Sequence, residues 1–366
     1  MKLDYEVGVL DNLSLDFFED PSQIIGEIKT LYAKCDRMIS ETNVFDYVSV
    51  SVIILNWNGG DYLMRCVDSV MKTDYPGDLL EVIIVDNGSI DGSARLAKKM
   101  YPQIKLIENG RNLGFCVGNN IGIKHSSGDI VVLLNNDTIV DRNWIKEILK
   151  YAQDPRVGII GCKLYFPGTK IIQSLGFRMR FLGYWESIGA GQEDNGQFDK
   201  FGCVDYVSGA ALAVKRKVLD KIGLLDPTFY AYYEDVDICY RARQAGYKVV
   251  TSNAIVYHYG SLSWNRLPIR KMYLVQRNGI QFILKHYPPK NLLRYIFEYP
   301  IKSFKVDLCK YVRGETVLQK TATLNKTQNR EKISVAAFTM EILRLIMFFM
   351  ALLSIVAKTR LRRKER

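Results

Sequence analysis

Cysteine pairs are missing from this sequence. Its seven cysteines, spread from Cys35 to Cys309, are odd in number and include no C-x-x-C. Neither a disulfide framework nor a zinc knuckle is expected, and a reduced, cytoplasmic setting fits. No G-x-G-x-x-G follows the first strand-like run and no G-x-x-x-x-G-K-[ST] occurs, which excludes the dinucleotide-binding and P-loop readings. The opening MKLDYEVGVLDNLSLDFFED is acidic and lacks an apolar stretch, so no signal peptide is read there. Histidine is scarce, at three in 366 residues, and no Ser-His-Asp arrangement is evident. Apolar residues, at 48% against 24% charged, are plentiful enough for a packed core in one large domain or two.

The net charge of +11 is unevenly placed. Residues 1–48 hold 4 Lys/Arg against 10 Asp/Glu, residues 49–265 hold 24 against 23, and residues 266–366 hold 22 against 6. A near-neutral body with a basic tail region suggests attachment to something anionic. The apolar run LIMFFMALLSIVA (345–357), followed directly by KTRLRRKER, points to an anionic membrane surface rather than nucleic acid, for which no motif is present. Extended back to Ile333 the run is interrupted by Glu341 and Arg344, whereas a simple span needs roughly 20 apolar residues. A helix lying in the membrane interface is favoured; a true span and a buried core helix stay open.

From residue 47 the pattern is regular. YVSVSVIILN, LEVIIVD, IKLIENG and GDIVVLLNND read as four strands, each ending in polar residues, with helical spacing between them at Leu63, Val67, Val70 and Met71 and at 93–100. Strands apolar on both faces and alternating with helices predict an α/β fold with a mostly parallel sheet flanked by helices. Ligands bind at the carboxyl ends of such strands, which here carry Asn56–Asn58, Asp86–Ser89 and Asn135–Asp137, including Asn136. Asn56 and Asp86 suit a nucleobase or ribose, Arg111 suits a base or phosphate, and Asp137 suits a divalent metal.

The stretch YYEDVDICYRARQAGYK (232–248) places three carboxylates, Glu234, Asp235 and Asp237, within four residues. Acidic residues are also what a helix N-terminus prefers. Taken alone, the stretch fits either chemistry or a capped helix.

Residues 49 to about 285 resemble the family 2 glycosyltransferases, which have the GT-A (nucleotide-diphospho-sugar transferase) fold and use nucleotide-sugar donors. The resemblance is greatest to the rhamnosyltransferase and galactofuranosyltransferase-like branch. It is carried by VSVIILNWNGGDYLMRCVDSV, EVIIVDNGSIDGS, ENGRNLGFCVGNNIGI, DIVVLLNNDTIV, the long stretch from VDYVSGAALAV to YYEDVDICYRARQAGYKV, and VYHYGSLSW, in the family's order. It implies donor binding by Asn56, Asp86, Arg111 and Asn136. The Asp-x-Asp metal motif stands here as NND, so Asp137, with His258 as a second ligand, is the implied site for Mg²⁺ or Mn²⁺. Asp235 is the implied general base, Glu234 an acceptor contact, and Asp237 a brace for its helix through Arg241 or Arg243. The aromatic, Gly-rich stretch 178–202, with Trp185, reads as an acceptor-side loop.

The implied function is a metal-assisted, inverting hexosyl transfer from a nucleotide-diphosphate donor, dTDP-rhamnose or a UDP sugar. The implied acceptor is a hydroxyl of a saccharide or lipid-linked saccharide in polysaccharide biosynthesis. The processive synthases' Q-x-x-R-W is absent, which favours transfer of one or a few sugars. The expected organisation is a helical extension over 1–46, a catalytic domain over 47–265, and a basic, apolar helical membrane-associating region over 266–366. The expected location is the cytoplasmic face of the cell membrane, with self-association through 1–46 left open. The rival reading is a membrane-associated carbohydrate-binding or scaffold protein with a degraded transferase site.

Overall fold

The computed structural model describes residues 48–199, 202–260, 268–312 and 343–355. The expected helical extension over 1–46 and the basic KTRLRRKER stretch lie outside the described residues, as does the part of the apolar run from Ile333 to Ile342. Four strands arise where the apolar runs predict them: β1 (Val50–Asn56), β2 (Leu80–Asp86), β3 (Lys105–Glu108) and β4 (Ile130–Asn135). Helices α1 (Gly60–Met71), α2 (Ser93–Met100) and α3 (Gly114–Lys124) connect them. These four strands pair in parallel, in the order β3-β2-β1-β4. Helix α3 lies close on β1 and β2 because its face is glycine: a Cβ on Gly118 or Gly122 would stand 2.4 Å from Leu55 or Ile53.

Beyond β4 the sheet departs from the expected, mostly parallel form. After β5 (Thr138–Val140), α4 (Trp144–Ala152) and β6 (Val157–Tyr165), the chain returns through β7 (Ile172–Ser174) and the hairpin β8 (Phe177–Phe181) and β9 (Tyr184–Ser187). It then enters β10 (Ala211–Lys215), antiparallel to both β4 and β6. Among its described residues, the segment between β6 and β10 contains strands and turns but no helix. It therefore reverses the chain instead of carrying it across the sheet as a parallel connection requires. The result is a mixed nine-stranded sheet, β3-β2-β1-β4-β10-β6-β11-β5, with β7 on β6. The stretch 178–202, expected as an irregular loop, contains that β8–β9 hairpin.

Helices α5 (Arg216–Ile222), α6 (Glu234–Gln244) and strand β11 (Lys248–His258) complete the sheet layer, followed by α7 (Pro268–His286), α8 (Pro289–Val312) and a helix over 343–355, α9. The C-terminal helices are built onto the core: Ile280, Phe282, Ile283, Tyr295, Tyr299 and Phe348 join the apolar cluster that contains Leu133, Leu212 and Val249. Their outer faces are apolar too, with Leu293, Phe297 and Ile301 exposed on α8 and Ile346, Phe349, Met350 and Leu353 exposed on α9. Among the described residues no helix is long and apolar enough to cross a membrane.

Helix α6 is pinned to α7 by charge. Asp237, fully buried, accepts from Arg241 Nε at 2.8 Å, from Lys285 Nζ at 2.9 Å and from His286 Nε2 at 2.7 Å. Burial opposes its ionisation, but His286, Arg241 and Lys285 outweigh it and hold the carboxyl down at about 2. The brace runs through Arg241; Arg243 instead reaches Asp205 at 2.7 Å. Removing one partner of such a buried cluster costs about 3–5 kcal/mol, so Asp237→Ala is expected to lower the melting temperature sharply in a calorimetric scan. A carboxyl depressed in the folded state stabilises above its unfolded pKa, and that contribution fades as pH falls from about 3.8 towards about 2. The gap in melting temperature between wild type and Asp237→Asn should accordingly narrow below pH 4.

Candidate active site

Two cavities meet at the N-terminus of α6. The first, of about 230 Å³, opens at the carboxyl ends of β1 and β4, and its lining includes Trp57, Asn87, Asn112, Asn136, Asp137 and His258. The second, of about 380 Å³, is aromatic, with Trp185, Tyr206, Tyr233, Tyr299 and the Arg344 side chain in its wall. Both include Tyr232, Glu234 and Asp235. The two carboxylates therefore form a shared wall.

The polar strand ends are joined behind the first cavity. Asn56, fully buried, donates its amide to Asp86 Oδ1 at 2.8 Å and to Ser89 Oγ at 3.1 Å, while its Oδ1 accepts from Asn136 Nδ2 at 2.8 Å. Asp86 also accepts from the Ser89 N–H at 2.9 Å. Asn56 thus orients Asp86 and Asn136 from beneath rather than lining the cavity itself. Asn87, one of the polar strand-end residues but given no role of its own in the sequence, does line it, held by Asn109 Nδ2 at 2.8 Å and donating to the Gly114 carbonyl at 3.1 Å. Arg111 sits exposed on the loop after β3 and is not part of the lining.

Asp137 and His258, 121 positions apart, are brought together by the antiparallel β5–β11 pair, in which His258 stands opposite Thr138. His258 Nε2 lies 3.3 Å from Asp137 Oδ1. The other ring nitrogen, Nδ1, lies 2.6 Å from Gln173 Oε1, and Gln173 Nε2 donates to the His258 carbonyl at 3.3 Å. An amide oxygen can only accept, so Nδ1 carries a proton, and in the neutral form of the ring Nε2 presents its lone pair towards Asp137. That buried nitrogen has no hydrogen-bond partner among the described residues. Two electron-pair donors then face each other, an arrangement that a divalent cation relieves, and the N/O donor set suits Mn²⁺ or Mg²⁺. Among the described residues no third His, Cys, Asp or Glu joins them, so the remaining ligands would have to come from substrate and water. Gln173, which fixes the tautomer, carries no recognisable signal in the sequence.

Asp235, half-buried, accepts from the Gly209 N–H at 3.1 Å and from its neighbour's N–H, Val236, at 2.8 Å. Burial raises its pKa, and these two N–H groups oppose the rise. Glu234 is 6% exposed, and its Oε2 has no hydrogen-bond partner among the described residues. Burial, then the neighbouring Asp235 charge, pushes it well above the ordinary carboxyl range. Burial thus raises both carboxyls, and a perturbed pair of this kind in a cavity wall is the pattern of a site built for acid or base chemistry. Trp185 is edge-on to Tyr206, with ring centroids 5.0 Å apart, on the side of these carboxyls away from Asp137.

Comparison with known proteins places this geometry. Residues 51–223 match the family described as Glycosyl transferase family 2. The O-antigen biosynthesis protein RfbC of Myxococcus xanthus is 30% identical over 226 residues, covering 58% of this chain and 17% of that protein. The N-acetylglucosaminyl-diphospho-decaprenol L-rhamnosyltransferase of Mycobacterium tuberculosis is 28% identical over 244 residues, covering 59% of this chain and 78% of that protein. The chain spans a quarter or less of the length of the relatives it matches at 30% identity. Among solved structures, the mannosyltransferase PcManGT of Pyrobaculum calidifontis superposes with a TM-score of 0.53 at 17% identity, covering 89% of this chain and 95% of that one. The likeness in structure is one of fold, GT-A.

The raised carboxyl of Glu234 has a measurable signature. A group that binds its proton more tightly when folded costs stability as pH rises above its unfolded value, here 4.5. Glu234→Gln removes that cost. The melting temperature of the variant should match wild type at pH 4.5 or below and exceed it increasingly as pH rises, measured by scanning calorimetry.

Proposed function

We propose that this protein, whose residues 51–223 match the family 2 glycosyltransferases, is an inverting glycosyltransferase with Asp235 as its general base. The observation that carries this is the shared wall: Glu234 and Asp235 stand between a polar cavity at the strand ends and an aromatic one. A nucleotide-diphosphate sugar occupies the first, held by Asn136 and the Asp86 region. A sugar hydroxyl acceptor occupies the second, where Trp185 offers an apolar ring face.

The acceptor hydroxyl has a pKa far above neutrality, so it needs a carboxylate to take its proton as it attacks. Its oxygen forms a bond to the anomeric carbon from the face opposite the diphosphate. The bond from that carbon to the diphosphate breaks, the nucleoside diphosphate leaves with the electron pair, and the proton resides on Asp235. Glu234, kept neutral by its burial, is able to donate a hydrogen bond to the acceptor. Asp137 and His258 would hold Mg²⁺ or Mn²⁺, which when bound neutralises charge on the leaving diphosphate.

The finer substrate reading follows from the relatives and the surface. The Mycobacterium tuberculosis relative is a rhamnosyltransferase by name and acts on a lipid diphosphate-linked sugar, which supports dTDP-rhamnose as donor, with UDP sugars next. The exposed apolar faces of α8 and α9, with the basic sequence around them, support a saccharide carried on a membrane lipid and taken at the cytoplasmic face of the membrane.

Purified protein titrated with UDP, dTDP and GDP, with and without Mn²⁺, should be stabilised by one of them in a metal-dependent way. No response from folded protein would favour a carbohydrate-binding or scaffold role instead. His258→Ala should abolish the metal-dependent part of that stabilisation, read by calorimetry, and leave the metal-free part. Asp235→Asn should keep nucleotide affinity while transfer falls by roughly 10²–10⁴-fold, the contribution of a positioned base.

A further inference from the structure

The segment that delivers the carboxylates has unusual backbone. Tyr230, Tyr232 and Tyr233 have φ of 66°, 69° and 72°, a region costly for any residue with a Cβ. Such strain persists only where the surroundings over-determine the chain. Four consecutive carbonyls show how this is done. From one side Phe115 and Cys116, in the first turn of α3, donate their N–H groups to the Tyr230 carbonyl at 2.7 and 3.1 Å. From the other side Asn278 of α7, fully buried, donates its amide to the carbonyls of Phe229 at 2.9 Å, Ala231 at 2.8 Å and Tyr232 at 2.6 Å.

Arg277 decides which end of that amide faces the segment. Its guanidinium donates to Asn278 Oδ1 from Nε at 2.8 Å and from Nη2 at 2.6 Å, and Nη2 also reaches the Phe229 carbonyl at 2.7 Å. With its oxygen so occupied, Asn278 can only turn its NH₂ towards the three carbonyls. Gly114 leaves the opposite side open, since a Cβ there would stand 2.5 Å from Tyr230 Cδ2.

We propose that Asn278, oriented by Arg277, is a positioning residue for the transfer reaction: it holds Tyr230–Tyr233 in its strained path and so keeps the Asp235 carboxylate between the two cavities. The proposal rests on the transferase reading above. Without the clamp the tyrosines relax to negative φ, the first turn of α6 shifts, and Asp235 leaves the Gly209 N–H. The strain is local, so its release should disturb placement more than stability.

Asn278→Asp in the full chain separates these effects. The variant keeps the side chain's size and an ion pair to Arg277, but exchanges the two N–H donors for lone pairs facing three carbonyls. Amide hydrogen exchange in peptides covering 112–118 and 229–237 should quicken by roughly tenfold or more, with β1 and β2 unchanged, as local opening entails. Release of nucleoside diphosphate from UDP-glucose, GDP-mannose and dTDP-rhamnose with Mn²⁺ should fall at least about tenfold, while the nucleotide dissociation constant stays within about threefold. Wild-type exchange in both segments would overturn the proposal. So would quickened exchange throughout the sheet with lost nucleotide affinity, the mark of a general structural role. Asn278→Ala takes the place of the first variant if that one does not fold, and failure of both to fold also overturns it. A wild-type chain that releases no nucleotide from any donor sinks the transferase reading, while exchange still decides the clamp.

Discussion

Asp237 is the point on which the site's geometry turns. A carboxylate with no exposed surface cannot stay charged without partners, and its partners come from two helices: Arg241 from α6, and Lys285 and His286 from α7. Satisfying that one charge fixes how α6 lies against α7. Two turns earlier on α7, Arg277 and Asn278 then fall beside the Tyr230–Tyr233 segment. Within the same first turn of α6, Glu234 and Asp235 fall at the meeting of the cavities. The three carboxyls of a single helix turn thus have different fates. One is ionised and structural, one is driven towards its neutral form, and one is held half-buried by backbone N–H groups.

The sheet divides the remaining tasks. Its parallel half places Asn56, Asp86 and Asn136 side by side at neighbouring strand ends, where hydrogen bonds join them into one frame. Its mixed half brings the end of β11 back against β5, which sets His258 beside Asp137. Neither half alone assembles the polar cavity. The antiparallel β10 stands between them, with Gly209 just before it supplying the N–H that fixes Asp235.

Much of this was legible in the chain, for definite reasons. The runs VSVIILN and LEVIIVD, buried along nearly their whole length, cannot be anything but interior strands, and their polar ends mark the crevice. The acidic turn of α6 and its Arg241 partner, four residues on, are a local relation that helical spacing exposes. The reversal at β10 was not legible, because direction in a sheet depends on where a connection goes rather than on the residues of the strand. Gln173 and Asn278 escape notice in the sequence, and Arg344 shows there only as a break in the apolar run, for a related reason. Each is an ordinary polar residue whose meaning comes from a partner 45 to 85 positions away.

The wall of the aromatic cavity draws on a later part of the chain than the polar one does. The polar cavity is lined entirely by residues up to His258, whereas the aromatic one borrows Tyr299 from α8 and Arg344 from α9. Those two helices lie outside the matched span of 51–223, as do Glu234, Asp235 and His258. On the proposed assignment of the two cavities, the last hundred residues contribute to the acceptor's wall and not to the donor's.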